Sequence, residues 1–216
     1  MPDGFARTTD RPERKRRSDG ERSRTAILRE SARLATVEGL GGLSIGRLAD
    51  AVGMSKSGLF AHFGSKEELQ LATVEAAAEI FTEDVIDPAT RSGATGLERL
   101  RLLADGFLRH VESGVFPGGC FFASVAMELE ALPRPVHQRA VEIVTEWFGM
   151  LVAAADEARD AGELDASEEP GQLAFEVDAF MLLANAQFAV SQHPQPLERA
   201  RIAIDRRLAL AAPAAS

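Results

Sequence analysis

The chain has 216 residues, 45% of them hydrophobic and 26% charged, with a formal net charge of −9. That length supports one ordinary domain or two small ones with a true core, and the composition is that of a soluble globular chain. The single cysteine, Cys120, forbids an intrachain disulfide, the opening MPDGFARTTDRPERKRR lacks the apolar stretch of a secretory signal, and no apolar run reads as reaching the roughly 20 residues of a membrane span. The expected setting is the cytoplasm, with no membrane partner.

The net charge hides a division. Residues 1–66 carry 13 Lys and Arg against 8 Asp and Glu, a balance of +5, whereas residues 67–216 carry 11 against 25, a balance of −14. A basic front and an acidic remainder suit a front that meets a polyanion and a body that stays clear of it. Residues 1–21, with RPERKRR at Arg11–Arg17, read as a basic disordered tail able to add loose phosphate attraction.

From Arg22 the pattern is helical. RSRTAILRESARLATVEG puts Ile27, Ala32, Leu34, Ala35 and Val37 largely on one face and stops at Gly39. GLGGL is a glycine-rich connector. Ser44 caps a short helix, Ile45 to Val52; Gly53-Met54 turns; Ser55 caps a second short helix ending near Phe63. Gly64-Ser65 breaks it, and Ser65 with Glu68 forms a capping box that opens a longer helix to about Glu83. DPATRSGATG reads as the loosest loop. Five more helices are expected near Gly96–Glu112, Gly119–Ala131, Pro135–Ala161, Pro170–Gln192 and Gln195–Leu210, with prolines at junctions or first turns. The expected fold is all-α, about nine helices, with a three-helix head (22–68) on a larger helical body (69–216).

Two short helices joined by a tight glycine turn, over 44–63, form a helix-turn-helix arrangement. On a helical wheel Leu59 and Phe63 share a face that can pack on Leu48, Ala49 and Val52. Lys56, Ser57, Phe60 and Ala61 point the other way, and Gly58 leaves backbone bare for close approach. The candidate DNA-contacting set is Ser44, Arg47, Ser55, Lys56, Ser57, Gly58, Phe60, His62 and Lys66. Lys66 and His62 would meet phosphates, beside the free N–H groups at the start of the Ser65 helix, while Lys56 and Ser57 would face base edges. A helical pair used only for packing is the plainer alternative.

LSIGRLADAVGMSKSGLFAHFGSKEEL resembles the N-terminal domain of the TetR family of bacterial transcriptional regulators. Ser44, Leu48-Ala49, Ala51-Val52-Gly53, Ser55, Leu59, His62-Phe63, Ser65-Lys66 and Leu69 fall in register with the family pattern. One departure is Phe60, where the family often has tyrosine; the chain has no tyrosine. The resemblance covers about sixty residues and implies a homodimer on a double-stranded operator, with the last two long helices forming the interface. LAFEVDAFMLLANAQFAVS (Leu173–Ser191) is apolar almost all round, and Ala179, Ala184, Ala186 and Ala189 would allow close helix approach; a central core helix of a monomer is the alternative.

For the body, VFPGGCFFASVAMELEAL gathers Phe116, Cys120, Phe121, Phe122 and Met127 near Phe107, Trp147, Phe148, Met150, Phe175 and Met181. The candidate ligand-lining set is Phe81, Phe107, His110, Phe116, Cys120, Phe121, Trp147, Phe148, Met181 and Asn185, with Asn185, Gln187 and His110 as orienting polar groups. The effector expected is small and apolar, neutral or cationic. Scattered histidines and one cysteine give no metal spacing, no cofactor is expected, and no nucleophile–base pair, paired carboxylates or phosphate loop supports an enzyme. The reading is a repressor released by a small ligand; an activator, or a regulator controlled by a partner, is the alternative on the same head.

Overall fold

The structure is a computed structural model that describes the backbone of residues 11–213 and the side chains of residues 20–213. Its described elements are all helical: α1 (Arg11–Glu38), α2 (Ile45–Ala51), α3 (Lys56–Phe63), α4 (Lys66–Phe81), α5 (Asp87–Arg91), α6 (Gly96–Glu112), α7 (Phe121–Val125), α8 (Arg134–Asp160), α9 (Pro170–Ser191) and α10 (Gln195–Ala211). A π-helical turn, Thr82–Ile86, joins α4 to α5, so the two run as one bent rod and the total becomes nine. A 3-10 stretch, Ala126–Ala131, extends α7.

Three expectations of local structure change. The tail expected to be disordered to residue 21 is helical from Arg11, with Pro12 in a first turn that needs no N–H from it; residues 1–10 lie outside the described residues. DPATRSGATG is not all loop: the π-turn shifts the hydrogen-bond register just before Pro88, so Asp87–Arg91 winds on and stops at Gly93, φ +72°. The helix expected over Gly119–Ala131 divides into a short α-helix and a tighter 3-10 stretch.

In the head, α2 and α3 pack on each other and on α1 and α4. Leu40, Leu43, Leu48, Ala49, Leu59 and Phe63 are buried between them. Val37, placed by the wheel with the inward residues of α1, is instead 62% exposed. The polar pair missed there is Ser31 and Thr73, whose hydroxyls meet at 2.7 Å inside the α1–α4 contact while Thr73 Oγ1 also donates to the Leu69 carbonyl.

The body is a layered bundle in which α8 packs on α4, α6 and α9, and α9 packs on α10. Gly106 of α6 lies so close to Val85 of the π-turn that a Cβ there would stand 3.2 Å from Val85 Cγ1. Arg207 of α10 donates to both Glu168 and Glu176, tying α10 to α9 and its lead-in loop. Contrary to the reading of the apolar runs, α9 is long and apolar enough to cross a membrane by length and composition, with a third of its most apolar window buried within the chain.

Candidate functional site

Two places gather the residues singled out by sequence. The first is α3. Ser55 has extended backbone, and its Oγ accepts from the Gly58 N–H at 3.1 Å, satisfying one of the free donors at the helix start. Gly53 (φ +65°) and Gly64 (φ +69°) hold left-handed backbone on either side, so both turns depend on glycine. Leu59 and Phe63 are buried, whereas Ser44, Arg47, Ser55, Lys56, Ser57, Phe60 and Lys66 are exposed and Gly58 and His62 half-buried. Phe60 is 49% exposed on an eight-residue helix. All nine members of the DNA-contacting set thus lie within one region around α3.

Several of these side chains already have partners within the chain. Arg47 pairs with Glu38 at 2.7 Å. The Lys56 side chain lies across Gly46, whose hypothetical Cβ would stand 3.0 Å from Lys56 Cε. Ser44 Oγ accepts from Arg47 N–H, and Ser55 and Ser57 hydroxyls meet at 3.2 Å. Arg24 of α1 donates to the His62 carbonyl at 3.0 Å, with its guanidinium 4.5 Å from the Phe63 ring centre. These contacts fix the pose of α3 while leaving its outward face to solvent.

The connector between α1 and α2 is held from two sides, which sequence reasoning did not anticipate. From α4, Lys66 Nζ donates to the Gly41 carbonyl at 2.8 Å and Gln70 Nε2 to the Leu40 carbonyl at 2.8 Å. From the 3-10 stretch, the Glu128 carboxylate accepts the Leu40 N–H at 2.5 Å and the Gly41 N–H at 3.0 Å. Nearby, Gly118 N–H donates to Thr36 Oγ1 at 3.2 Å, and a Cβ at Gly118 would fall on the Thr36 carbonyl. Glu128, the first of two glutamates in the otherwise apolar AMELEAL, was the available signal.

The second place is a partly open cavity of about 100 Å³ lined by α4, α6, the α7 segment, α8 and α9. Phe81, Phe107, Cys120 and Trp147, four of the ten expected residues, line it. Phe122, Ala123 and Ala126 supply one further side, and Ile143, Val144, Asp178 and Leu182 another. Phe81 and Trp147 meet edge to face at 5.0 Å, and Phe107 lies near-parallel to Trp147 at 6.2 Å.

The other six expected residues lie off this wall. Phe121 and Met181 point into the surrounding core and Phe148 is half-buried elsewhere on α8. Phe116 borders a separate, more polar cleft against α1. His110 is buried, with Nδ1 2.9 Å from Asp84 Oδ2 and its ring 5.6 Å from that of Phe81; burial lowers its pKa, opposed by the Asp84 carboxylate. Asn185 accepts the Cys120 N–H at 2.8 Å and so positions the wall behind it, while Gln187 is exposed.

The polar group on the wall is Asp178, which sequence reasoning missed. It is half-buried, Trp147 Nε1–H donates to its Oδ1 at 3.3 Å, and burial raises its pKa against that hydrogen bond. Its signal was a carboxylate in the apolar run Leu173–Ser191. Burial pushes the Cys120 thiol up to about 11, so it packs as a neutral small side chain.

A third surface is apolar and open. On α9, Phe175, Ala179, Leu182, Leu183, Ala186 and Val190 are exposed at three- and four-residue intervals, with Phe175 60% and Val190 89% exposed. On α10, Ile202 and Leu210 continue it.

Residues 27–73 match the model of the bacterial regulatory proteins of the tetR family, and residues 96–204 that of the tetracyclin repressor-like C-terminal domain. The transcriptional regulator AcuR of Cereibacter sphaeroides is 26% identical over 161 residues, 72% of this chain and 71% of that protein. A TetR transcriptional regulator from Chloroflexus aurantiacus shares the fold with a TM-score of 0.77 at 23% identity, covering 90% of this chain and 98% of that one. AibR, solved in complex with isovaleryl coenzyme A and operator DNA, superposes with a TM-score of 0.69 at 23% identity, covering 88% of this chain and 98% of that one.

Proposed function

Since the chain belongs to the TetR family of DNA-binding transcriptional regulators, we propose that it is a cytoplasmic repressor. It binds a palindromic operator as a homodimer and is released when a small apolar molecule enters the cavity. The observation that carries this reading is α4. Lys66, in its first turn, stands beside α3, and Phe81, in its last, forms part of the cavity wall. Sixteen residues at about 1.5 Å each make a rod of about 24 Å between the two.

A ligand that pushes on Phe81 tilts the rod and carries α3 with it in both subunits. That spoils the half-site separation of about 34–36 Å that a dimer must match. A coupling of about 1–3 kcal/mol weakens operator binding about 5–150-fold. The open apolar stripe on α9 and α10 supports the dimer, because so regular a hydrophobic face is a poor solvent surface. AibR, held with both an acyl thioester and a duplex, supports the idea that a chain of this shape accommodates a small molecule and DNA.

The test is a footprint and light scattering on one preparation. The reading expects a dimer at micromolar concentration protecting two half-sites about one helical turn apart. A monodisperse monomer with full operator binding would sink it.

A further inference from the structure

We propose that the cavity selects a small organic cation, an aromatic or alkyl ammonium, through Asp178 and the rings around it. The inference rests on the reading that this cavity is the effector site and adds the ligand's chemical class. Four aromatic rings, those of Phe81, Phe107, Phe122 and Trp147, converge on a space whose wall has one ionisable carboxylate and no lysine, arginine or histidine. Such rings present negative faces that attract cations.

Asp178 receives one hydrogen bond, from Trp147. Among the described residues no cation lies within ion-pair distance of it, whereas Glu75, Glu112, Glu157 and Glu176 of the same body each have an arginine at that distance. A carboxylate held in apolar surroundings without a cation is costly. A bound ammonium relieves that cost, while a carboxylate or phosphate on the ligand compounds it. This wall is therefore unsuited to an anionic thioester such as the one AibR holds.

The chain has one tryptophan, Trp147, and no tyrosine, so its near-ultraviolet emission reports on this wall directly. Three probes of one skeleton separate the chemistries: benzylammonium, benzyl alcohol and benzoate, titrated into the full-length protein and into Asp178→Asn, with operator release measured in parallel. Benzylammonium is expected to perturb Trp147 emission with a Kd at least tenfold below that of benzyl alcohol, and benzoate to leave it unchanged. Asp178→Asn, with helix content and Tm retained, is expected to remove the tenfold preference and leave benzyl alcohol unaffected.

Benzyl alcohol or benzoate binding as well as benzylammonium overturns the inference. So does a preference that survives Asp178→Asn, or no response of Trp147 to any probe. Benzyl alcohol releasing the operator without any cation preference removes the cation and keeps the effector site. Benzylammonium bound with the operator still held keeps the cation site and removes the effector role.

Discussion

The head and the body handle their polar groups in opposite ways. In the head, most of the residues that would meet DNA are exposed on and around a short helix, and their internal partners lie within the head: Ser55 on Gly58, Ser44 on Arg47, Lys66 on Gly41. In the body, the cavity wall comes from five helical segments far apart in the chain, with one acid among apolar side chains. A surface that presents itself to a duplex needs rigid, pre-placed donors. A cavity that senses a small molecule needs packing loose enough to respond, joined to something stiff. The stiff parts are α4, from Lys66 to Phe81, and the α7 segment, from the wall residue Ala126 to Glu128 on the connector.

The contrast would break most visibly at the proposed subunit contact. Leu183→Glu should place an unpaired charge in the α9 seam, an expected loss of about 3–5 kcal/mol if that stripe is buried between subunits. Light scattering should then show monomers, and operator affinity should collapse while helix content is retained. A dimer unchanged by Leu183→Glu places the seam elsewhere.

Gly118→Ala tests whether head and body are rigidly joined. The new methyl would fall on the Thr36 carbonyl, so an overpacking loss of about 1–3 kcal/mol is expected in a thermal or urea melt. A melt like that of the unaltered chain would mean the joint gives easily. Glu128→Gln is gentler: it keeps an acceptor for Leu40 and Gly41 but removes the charge, for an expected loss of about 1 kcal/mol. It should also reduce the ligand's effect on operator binding while leaving Trp147 titrations unchanged. Equal coupling in both proteins would restrict signalling to α4.

On the DNA side, Lys66→Ala should weaken specific and random duplexes alike and lower the salt slope by about one unit. Lys56→Ala and Ser57→Ala should instead alter which sequence is preferred. A footprint and salt slope unchanged in all three would place the DNA surface off α3.

The smallest effect expected is on pH. Burial holds the His110 pKa below its ordinary value, so the folded chain binds its proton less readily than the unfolded chain. Its contribution is full above about pH 6.5 and is lost as pH falls toward the lowered folded value. Tm should drop over that window, and His110→Gln should flatten the drop.

The head was legible because its signals are local. Caps at Ser44, Ser55 and Ser65, glycines at 53 and 64 and the 3.6-residue period lie within about twenty-five letters. The body helices were legible to within a few residues for the same reason, α6 to the residue. The cavity was not, since helical spacing tells which side chains face inward but not which inward faces leave a gap. Phe121, Phe116 and Met181 are buried as the pattern requires, yet none of them lines the cavity. Asp178 was passed over inside a run read as apolar almost all round, and only its tertiary placement beside Trp147 puts it on the wall. The π-turn at Thr82–Ile86 left no signal beyond Pro88.

The proposed stiff connection through α4 and the α7 segment would make cavity and DNA surface compete, and linkage tests this most directly. Benzylammonium binding, read by Trp147 emission, should be measured with and without saturating operator, and operator binding with and without saturating benzylammonium. The account predicts that both affinities fall by the same factor, between about 5-fold and 150-fold. Ligand affinity unchanged by operator, with Trp147 still responding, would contradict it.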